Sequence, residues 1–316
     1  MQYSDPNANP YGSGSPYDSP YGTPYGGNAG MPYMGGQVRR RGRRWGCLGL
    51  GCLLPLVIAL VIFAAFGFNF HWSFHTGPTV IQVAPNPTLV VESVSNPHTQ
   101  IHIHAGTNNG QITIQPPGQF DLGGQEIYQE TKDHQTVIYD LDLNVTGTFD
   151  ISVPAHTNLK VNAGQAVTIV EGITGQMHLE TLSGTLIVKN DTITGPSLLR
   201  SNSAEIQATG DHLSGSVTVD NNEAGITFQG TLDPAGNYHF SDNGGALALT
   251  LPQNSALQIN ASTLSGSINS NIPGVKAQTA TSGFTLQASV GGTPRAQLTL
   301  YSNGGTITVN EQGGLS

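Results

Sequence analysis

The chain has 316 residues, of which 20 are acidic and 11 basic, and this charged fraction of 10% is well below the roughly 25% of an average soluble domain. The low charge argues against a helical protein laced with surface ion pairs. Two cysteines exclude a disulfide-stapled scaffold and a multi-cysteine zinc or iron–sulfur protein, and 41 glycines with 19 prolines favour strands, turns and disordered segments.

Residues 1–46 form the first predicted segment, a disordered cytoplasmic tail. The segment is rich in proline, glycine and tyrosine, with near-repeats such as Ser15-Pro16-Tyr17-Asp18 and Ser19-Pro20-Tyr21-Gly22. Its aliphatic content is too low to build a core, so we expect no folded domain there. The spaced Pro-Tyr pairs predict contacts with cytoplasmic partners.

Residues 47–70 form the second predicted segment, a transmembrane helix. They carry no charge and are rich in Leu, Val, Ile, Ala and Phe. At ~1.5 Å per residue they span about 36 Å, enough to cross a hydrocarbon core of roughly 30 Å. Five arginines precede this segment and predict a cytoplasmic N-terminus, an extracytoplasmic C-terminal domain and contact with anionic lipid: Arg39, Arg40, Arg41, Arg43 and Arg44.

Two other readings of this apolar segment stay open. A basic stretch before an apolar run is also typical of a cleavable signal peptide, although this run is longer than usual and no A-x-A cleavage site follows it. A lipoprotein signal is disfavoured because Cys47 and Cys52 lie at the start of the run. The anchor therefore remains our prediction.

The rest of the chain is predicted to be all β. Apolar residues alternate with polar ones, as in Val217-Thr218-Val219 and Ile307-Thr308-Val309, and this period of two is typical of half-buried strands. No long apolar stripe with helical period follows residue 73. Acidic residues dominate this part of the chain, which does not suit a nucleic-acid partner.

A repeat of about 20 residues begins near residue 160 and defines a predicted domain at 156–312. Six of the seven residues in the first aligned column are small: Gln165, the exception, is followed by Gly184, Ala204, Ala224, Gly245, Gly266 and Gly305. Two residues later each unit has an aliphatic residue: Val167, Leu186, Ile206, Ile226, Leu247, Ile268 and Ile307. A third apolar column closes the units: Leu179, Leu199, Val219, Phe240, Ile259 and Leu300. The long spacing before Gly305 predicts an irregular coil near Gly283 and Phe284.

This repeat favours a β-solenoid. Equivalent positions recur at about 20 residues and not at ten, and stacked coils require like residues on like. An antiparallel sandwich with a turn every ten residues or so is the alternative. Residues 71–155 share the strand texture without the repeat, and we expect an N-terminal β region or cap there, because an open solenoid end exposes strand edges.

The chain resembles the bacterial putative adhesin domains of unknown function, which are built from β-strand repeats. The resemblance covers about residues 130–310. The residues that carry it are Ile151-Ser152-Val153-Pro154-Ala155, Thr181-Leu182-Ser183-Gly184, Gly230-Thr231-Leu232-Asp233-Pro234 and Leu249-Thr250-Leu251-Pro252. The family's Ser-Gly-Asp motif is eroded at Thr185, Glu205, Gly225 and Ala246. The resemblance implies a role in surface adhesion.

The search for reactive residues finds one candidate cluster. Alternation along a strand puts His102 and His104 on the same side, and with His98 or Glu92 they could ligate zinc or copper. The alternative is a solvent-facing polar surface without a metal, which gives the same alternation of histidine and isoleucine. Asp140 and Asp142 have similar spacing, but exposed acids are common, and no nucleophile elbow, phosphate loop or calcium repeat is present. We predict no catalytic residues and no cofactor.

These features predict a non-enzymatic, membrane-anchored surface protein that binds glycans or proteins on other surfaces. One alternative is an envelope sensor or scaffold that signals through the tail. Another is a carbohydrate-active solenoid enzyme, which would need acidic and basic side chains clustered along one groove.

Overall fold

The computed structural model of the chain describes residues 78–92, 96–117, 126–130, 136–141 and 146–312. These residues form strands and turns without a helix, which confirms the all-β prediction for this part of the chain. Accordingly, none of them belongs to a helix that is long and apolar enough to cross a membrane. The predicted tail at 1–46, with its five arginines, and the apolar segment at 47–70 lie outside the described residues.

The described residues contain 23 strands. In chain order they are β1 (Thr79–Gln82), β2 (Thr88–Glu92), β3 (Thr99–Ala105), β4 (Gln111–Gln115), β5 (Glu126–Glu130), β6 (Thr136–Leu141), β7 (Gly147–Val153), β8 (Asn158–Ala163), β9 (Val167–Glu171), β10 (Thr174–Thr181), β11 (Leu186–Lys189), β12 (Thr192–Ser201), β13 (Ile206–Ser214), β14 (Ser216–Asn221), β15 (Ile226–Leu232), β16 (Asn237–Asp242), β17 (Leu247–Leu251), β18 (Leu257–Thr263), β19 (Ile268–Ser270), β20 (Gln278–Thr279), β21 (Phe284–Val290), β22 (Ala296–Ser302) and β23 (Ile307–Glu311).

Strand pairing produces two long ladders. Ladder A runs in the order β5, β6, β2, β8, β10, β12, β14, β16, β22, β18, β21 and β20. Ladder B runs in the order β1, β4, β7, β3, β9, β11, β13, β15, β17, β23 and β19. Pairing is parallel from β6 to β18 in ladder A and from β7 to β19 in ladder B. Successive repeat units therefore pair in parallel, as stacked coils do.

A third, shorter ladder is formed by residues that follow ladder B and precede ladder A along the chain. In ladder C, residues 174–176 pair with 192–194, residues 192–194 pair with 212–214, and residues 211–213 pair with 230–232, again in parallel. The register shifts between Thr209 and Asp211, where the chain turns from ladder B into ladder C. Several units therefore have three strand segments.

The spatial order of the paired strands departs from chain order at both ends. Strands β2 and β3 lie between β6/β7 and β8/β9, and β22 and β23 lie between β16/β17 and β18/β19. Leu247 thus pairs with Ile307, and Ile307 pairs with Ile268. The predicted irregular coil near Gly283 and Phe284 is wrong, because residues 284–290 form β21, an antiparallel partner of β18.

The predicted aliphatic columns form the core, with two errors of alignment. Ile206, Ile226 and Leu247 stack in register and are buried. In the unit before Ile206, Leu186 pairs with Thr168 instead of the predicted Val167. In the closing column Leu300 pairs with Ala261 instead of Ile259, which pairs with Leu298. The predicted column is one residue out of register at Val167 and two residues out of register at Ile259.

A buried polar column, which the sequence analysis missed, ends the strands of ladder A. Its side chains cap the following turn by accepting hydrogen bonds from backbone N–H groups two or three residues on, for example at 3.0 Å from Gly184 to Thr181, 3.3 Å from Glu223 to Asn221 and 2.8 Å from Gly305 to Ser302. Such local bonds satisfy backbone donors that the turn would otherwise bury unpaired. The column consists of Thr181, Ser201, Asn221, Asp242, Ser302 and Thr263.

Candidate functional site

The predicted histidine pair lies on the outer face of ladder B. Strand β3 buries Ile101 and Ile103 in the core, so its alternation turns His102 and His104 outward, with side chains 29% and 30% exposed. Their ring centroids are 5.1 Å apart. The prediction that both rings share one side of a strand is confirmed.

Acidic side chains from the neighbouring strands contact both rings. His102 Nδ1 donates to Asp150 Oδ1 at 2.9 Å, and its Nε2 lies 3.7 Å from Glu171 Oε2. His104 Nδ1 donates to the Ala105 carbonyl at 3.2 Å, and its Nε2 lies 3.4 Å from Asp150 Oδ2. Every ring nitrogen therefore faces an oxygen acceptor. A metal needs an imidazole lone pair, and these contacts compete for it.

The other predicted ligands are placed elsewhere. His98 lies in the exposed turn before β3, where its backbone N–H donates to Asn96 Oδ1. Glu92 pairs with Lys160 at 3.5 Å. Among the described residues no group of three or more His, Asp, Glu or Cys side chains could hold a metal ion. The structure does not bring the predicted set together.

The pair also lacks the geometry of a base next to a nucleophile. Ser152 is the cross-strand partner of His104, but the two ring nitrogens of His104 already face the Ala105 carbonyl and Asp150. An activated serine needs a hydrogen bond to an accepting ring nitrogen. Asp140 of the second predicted acidic pair belongs to β6, and Asp142 lies outside the described residues.

A second charged group lies on the outer face of ladder A. Residues 20 apart in the repeat stack in one column, and Arg200 contacts Glu180 at 3.3 Å and Asp220 at 3.2 Å. Ser241 donates to Asp220 at 2.6 Å in the next coil. Exposed pairs of this kind contribute about 0–1 kcal/mol each, so this column fixes side-chain positions more than it stabilises the fold.

Two aspartates are buried where ladder B turns into ladder C. Asp191 accepts hydrogen bonds from the backbone N–H groups of Ile173 at 2.5 Å and Lys189 at 3.1 Å. Asp211 accepts from the backbone N–H of Asp191 at 2.8 Å, and its Oδ2 has no hydrogen-bond partner among the described residues. Burial raises the pKa of each carboxyl from 3.8 to about 7. The neighbouring Asp211 also raises the pKa of Asp191.

The outer face of the last strands of ladder A is polar and almost free of charge. We call the outward residues of β16, β22, β18 and β21 the C-terminal face. They are Asn, Gln, Ser, Thr and Tyr with one His. Sequence reasoning missed this face, because β21 and β22 are brought to β18 only by the exchanged coil order. Its central members are Gln258, Asn260, Gln287, Gln297, Thr299 and Tyr301.

Comparison with known proteins finds weak structural resemblance. No family model and no curated protein matches the chain. A structure described as a putative cell adhesion protein from Clostridium sporogenes ATCC 15579 aligns at 10% identity and a TM-score of 0.33, covering 75% of this chain and 99% of that chain. A putative adhesin from Bacteroides fragilis NCTC 9343 aligns at 13% identity and a TM-score of 0.37, covering 74% and 96%. Scores this low establish neither a family nor a function for this chain.

Proposed function

We propose that the chain is a non-enzymatic cell-surface protein that binds glycans or proteins on other surfaces through the outer faces of a β-solenoid. The solenoid is supported by parallel pairing between repeat units in ladders A and B. It is also supported by the buried aliphatic columns, since each coil covers its apolar side chains with those of its neighbours.

The observation that carries this proposal is the polar outer face of ladder A. At one register position its successive strands present Thr218, His239, Thr299, Asn260 and Gln287. All five are exposed or half-exposed, and neighbouring strands lie about 4.8 Å apart. Such an array offers hydrogen-bond donors and acceptors at regular spacing to an extended partner.

The cellular location is proposed from the sequence. Residues 47–70 would anchor the protein as one transmembrane helix, and the arginines at 39–44 would keep residues 1–46 in the cytoplasm. The β-strand domain would then lie outside the cell, where its binding surface can reach another cell or polymer. The tail would remain available to cytoplasmic partners.

The test is retention of cells that produce the full chain on plates coated with envelope polysaccharides or extracellular proteins. We expect more retention than with cells that carry an empty vector. Ile226→Asp should abolish it, because a buried unpaired carboxylate costs several kcal/mol against a domain stability of about 5 to 15 kcal/mol. Thr227→Ala, at the exposed neighbouring position, is the matched control and should retain binding. Retention no better than the vector's on every coating would refute the proposed function.

A further inference from the structure

We propose that the C-terminal face contains a binding site for a neutral polysaccharide chain. A shallow depression of about 310 Å³ opens there, bordered by Gln258, Asn260, Gln287, Gln297 and Thr299. This inference rests on the proposed function, and it names the ligand class and the place where that ligand binds.

The exchanged coil order creates the depression. Strand β18 has the parallel strand β22 on one side and the antiparallel strand β21 on the other. The register places Asn260 between Thr299 and Gln287, and it places Gln258 next to Gln297. Polar side chains from three strands therefore converge, although up to 41 residues of sequence separate them.

The side chains of this site keep unused hydrogen-bonding capacity. Gln258 Oε1 accepts from Ser289 Oγ, which leaves the amide N–H groups of Gln258 available. Gln297 Nε2 donates to the Arg295 carbonyl at 3.1 Å, which leaves its Oε1 available. Asn260 and Gln287 are exposed, and their side chains make no hydrogen bond to another described residue. Because an amide both donates and accepts, such a set matches sugar hydroxyl groups, which also do both.

Charge selects a neutral ligand. The residues that border the depression include no acid and no base. Arg295 lies at the adjoining turn, where its guanidinium donates to the Val290 and Gly291 carbonyls at 3.3 and 3.1 Å. The bordering residues thus present no cation to a carboxylate or sulfate, and the whole chain has a net charge of −9, which repels polyanions. Tyr301, 38% exposed in the next column, adds an aromatic surface suited to the apolar side of a sugar ring.

The experiment is affinity electrophoresis of the purified full chain through gels that contain dextran, mannan or galactan. Parallel gels contain polygalacturonate or hyaluronate. The variant Asn260→Ala/Gln287→Ala removes two exposed amides without touching the core. Gln229→Ala, an exposed amide on the outer face of ladder B, is the matched control. Loss of two amide contacts should weaken binding about tenfold.

The expected result is retardation by at least one neutral polymer, weakened in the double variant and unchanged in the control. Three results would overturn the inference: no neutral polymer retards the chain, the double variant binds as well as the wild type, or the acidic polymers retard the chain equally. If these gels fail while cells that produce the chain are still retained on coated plates, the neutral-glycan site is wrong and the proposed function stands. If the cells also fail to be retained, both are wrong.

Discussion

The buried carboxyl groups of Asp191 and Asp211 should make the fold more stable in mild acid than in mild alkali. Each has its pKa raised from 3.8 to about 7 by burial. In the unfolded chain both groups would titrate near their ordinary value. Between about pH 4 and pH 7 the folded chain therefore binds more protons than the unfolded chain.

The sign and size of the effect follow from this difference in proton binding. Stability falls as the pH rises wherever the folded state binds more protons, so the contribution of these groups is largest below about pH 4 and is lost above about pH 7. For one carboxyl shifted from 3.8 to about 7, linkage gives about 2 kcal/mol more stability at about pH 5.5 than at about pH 8. For Asp191 and Asp211 together, the difference in stability between the two pH values approaches twice that for one carboxyl group.

Asp211→Asn is the sharpest perturbation. The amide oxygen can still accept the backbone N–H of Asp191, and the amide nitrogen replaces Oδ2, which has no hydrogen-bond partner among the described residues. The variant should lose at least about half of the stability gained between about pH 8 and about pH 5.5, since one of two titrating groups is gone and its charge no longer raises the pKa of Asp191. Glu223→Gln removes an exposed carboxylate and should leave the pH dependence unchanged.

The assay is denaturant unfolding of the full chain in detergent, followed by far-UV circular dichroism at both pH values. The quantity compared is the change in unfolding free energy between the two pH values, wild type against variant, so that histidines common to both chains cancel. Equal changes in the wild type and in Asp211→Asn would refute the reasoning. So would a loss of pH dependence in Glu223→Gln as large as that in Asp211→Asn.

Three further predictions concern packing, topology and metal. In a thermal melt, Gly305→Ala should lower stability by about 1–3 kcal/mol, because a Cβ there would overlap the Gly245 carbonyl oxygen. The control Gly304→Ala, whose Cβ would have ordinary contacts, should be close to neutral in the same assay. Protease added to intact cells should digest residues 73–316 and spare an N-terminal tag, and protection of the C-terminal part would contradict the proposed orientation. The melting temperature should not change in chelator, because the rings of the candidate histidine pair already face protein oxygens; a drop of more than a few degrees would reveal a bound metal.

The prediction of strands succeeded because the signals are local. Alternation in β14 and β23 needs only the neighbouring residues, and it correctly gives a buried and an exposed face. The recurrence of Leu186, Ile206 and Ile226 reflects direct stacking of one coil on the next. The same alternation placed His102 and His104 on one side of β3.

The register and the partners were decided only by the tertiary structure. A one-residue slip turns a side chain to the other face of a strand, and the predicted column contains such a slip, because Leu186 pairs with Thr168 and not with Val167. The partner of His102, Asp150, is 48 residues away in sequence, and no local pattern connects them.

The sequence by itself determined that the described residues are all β, with a repeat of about 20 residues and inward aliphatic columns. The reason is that burying alternate side chains of stacked strands imposes a period of two along each strand and a period of about 20 from one unit to the next. Only the tertiary structure decided the spatial order of the repeat units. Equivalent residues fit any neighbouring unit equally well, so the columns do not encode which unit comes next. The path of the chain inserts β22 and β23 between β16/β17 and β18/β19, and that insertion assembles the polar depression on the C-terminal face.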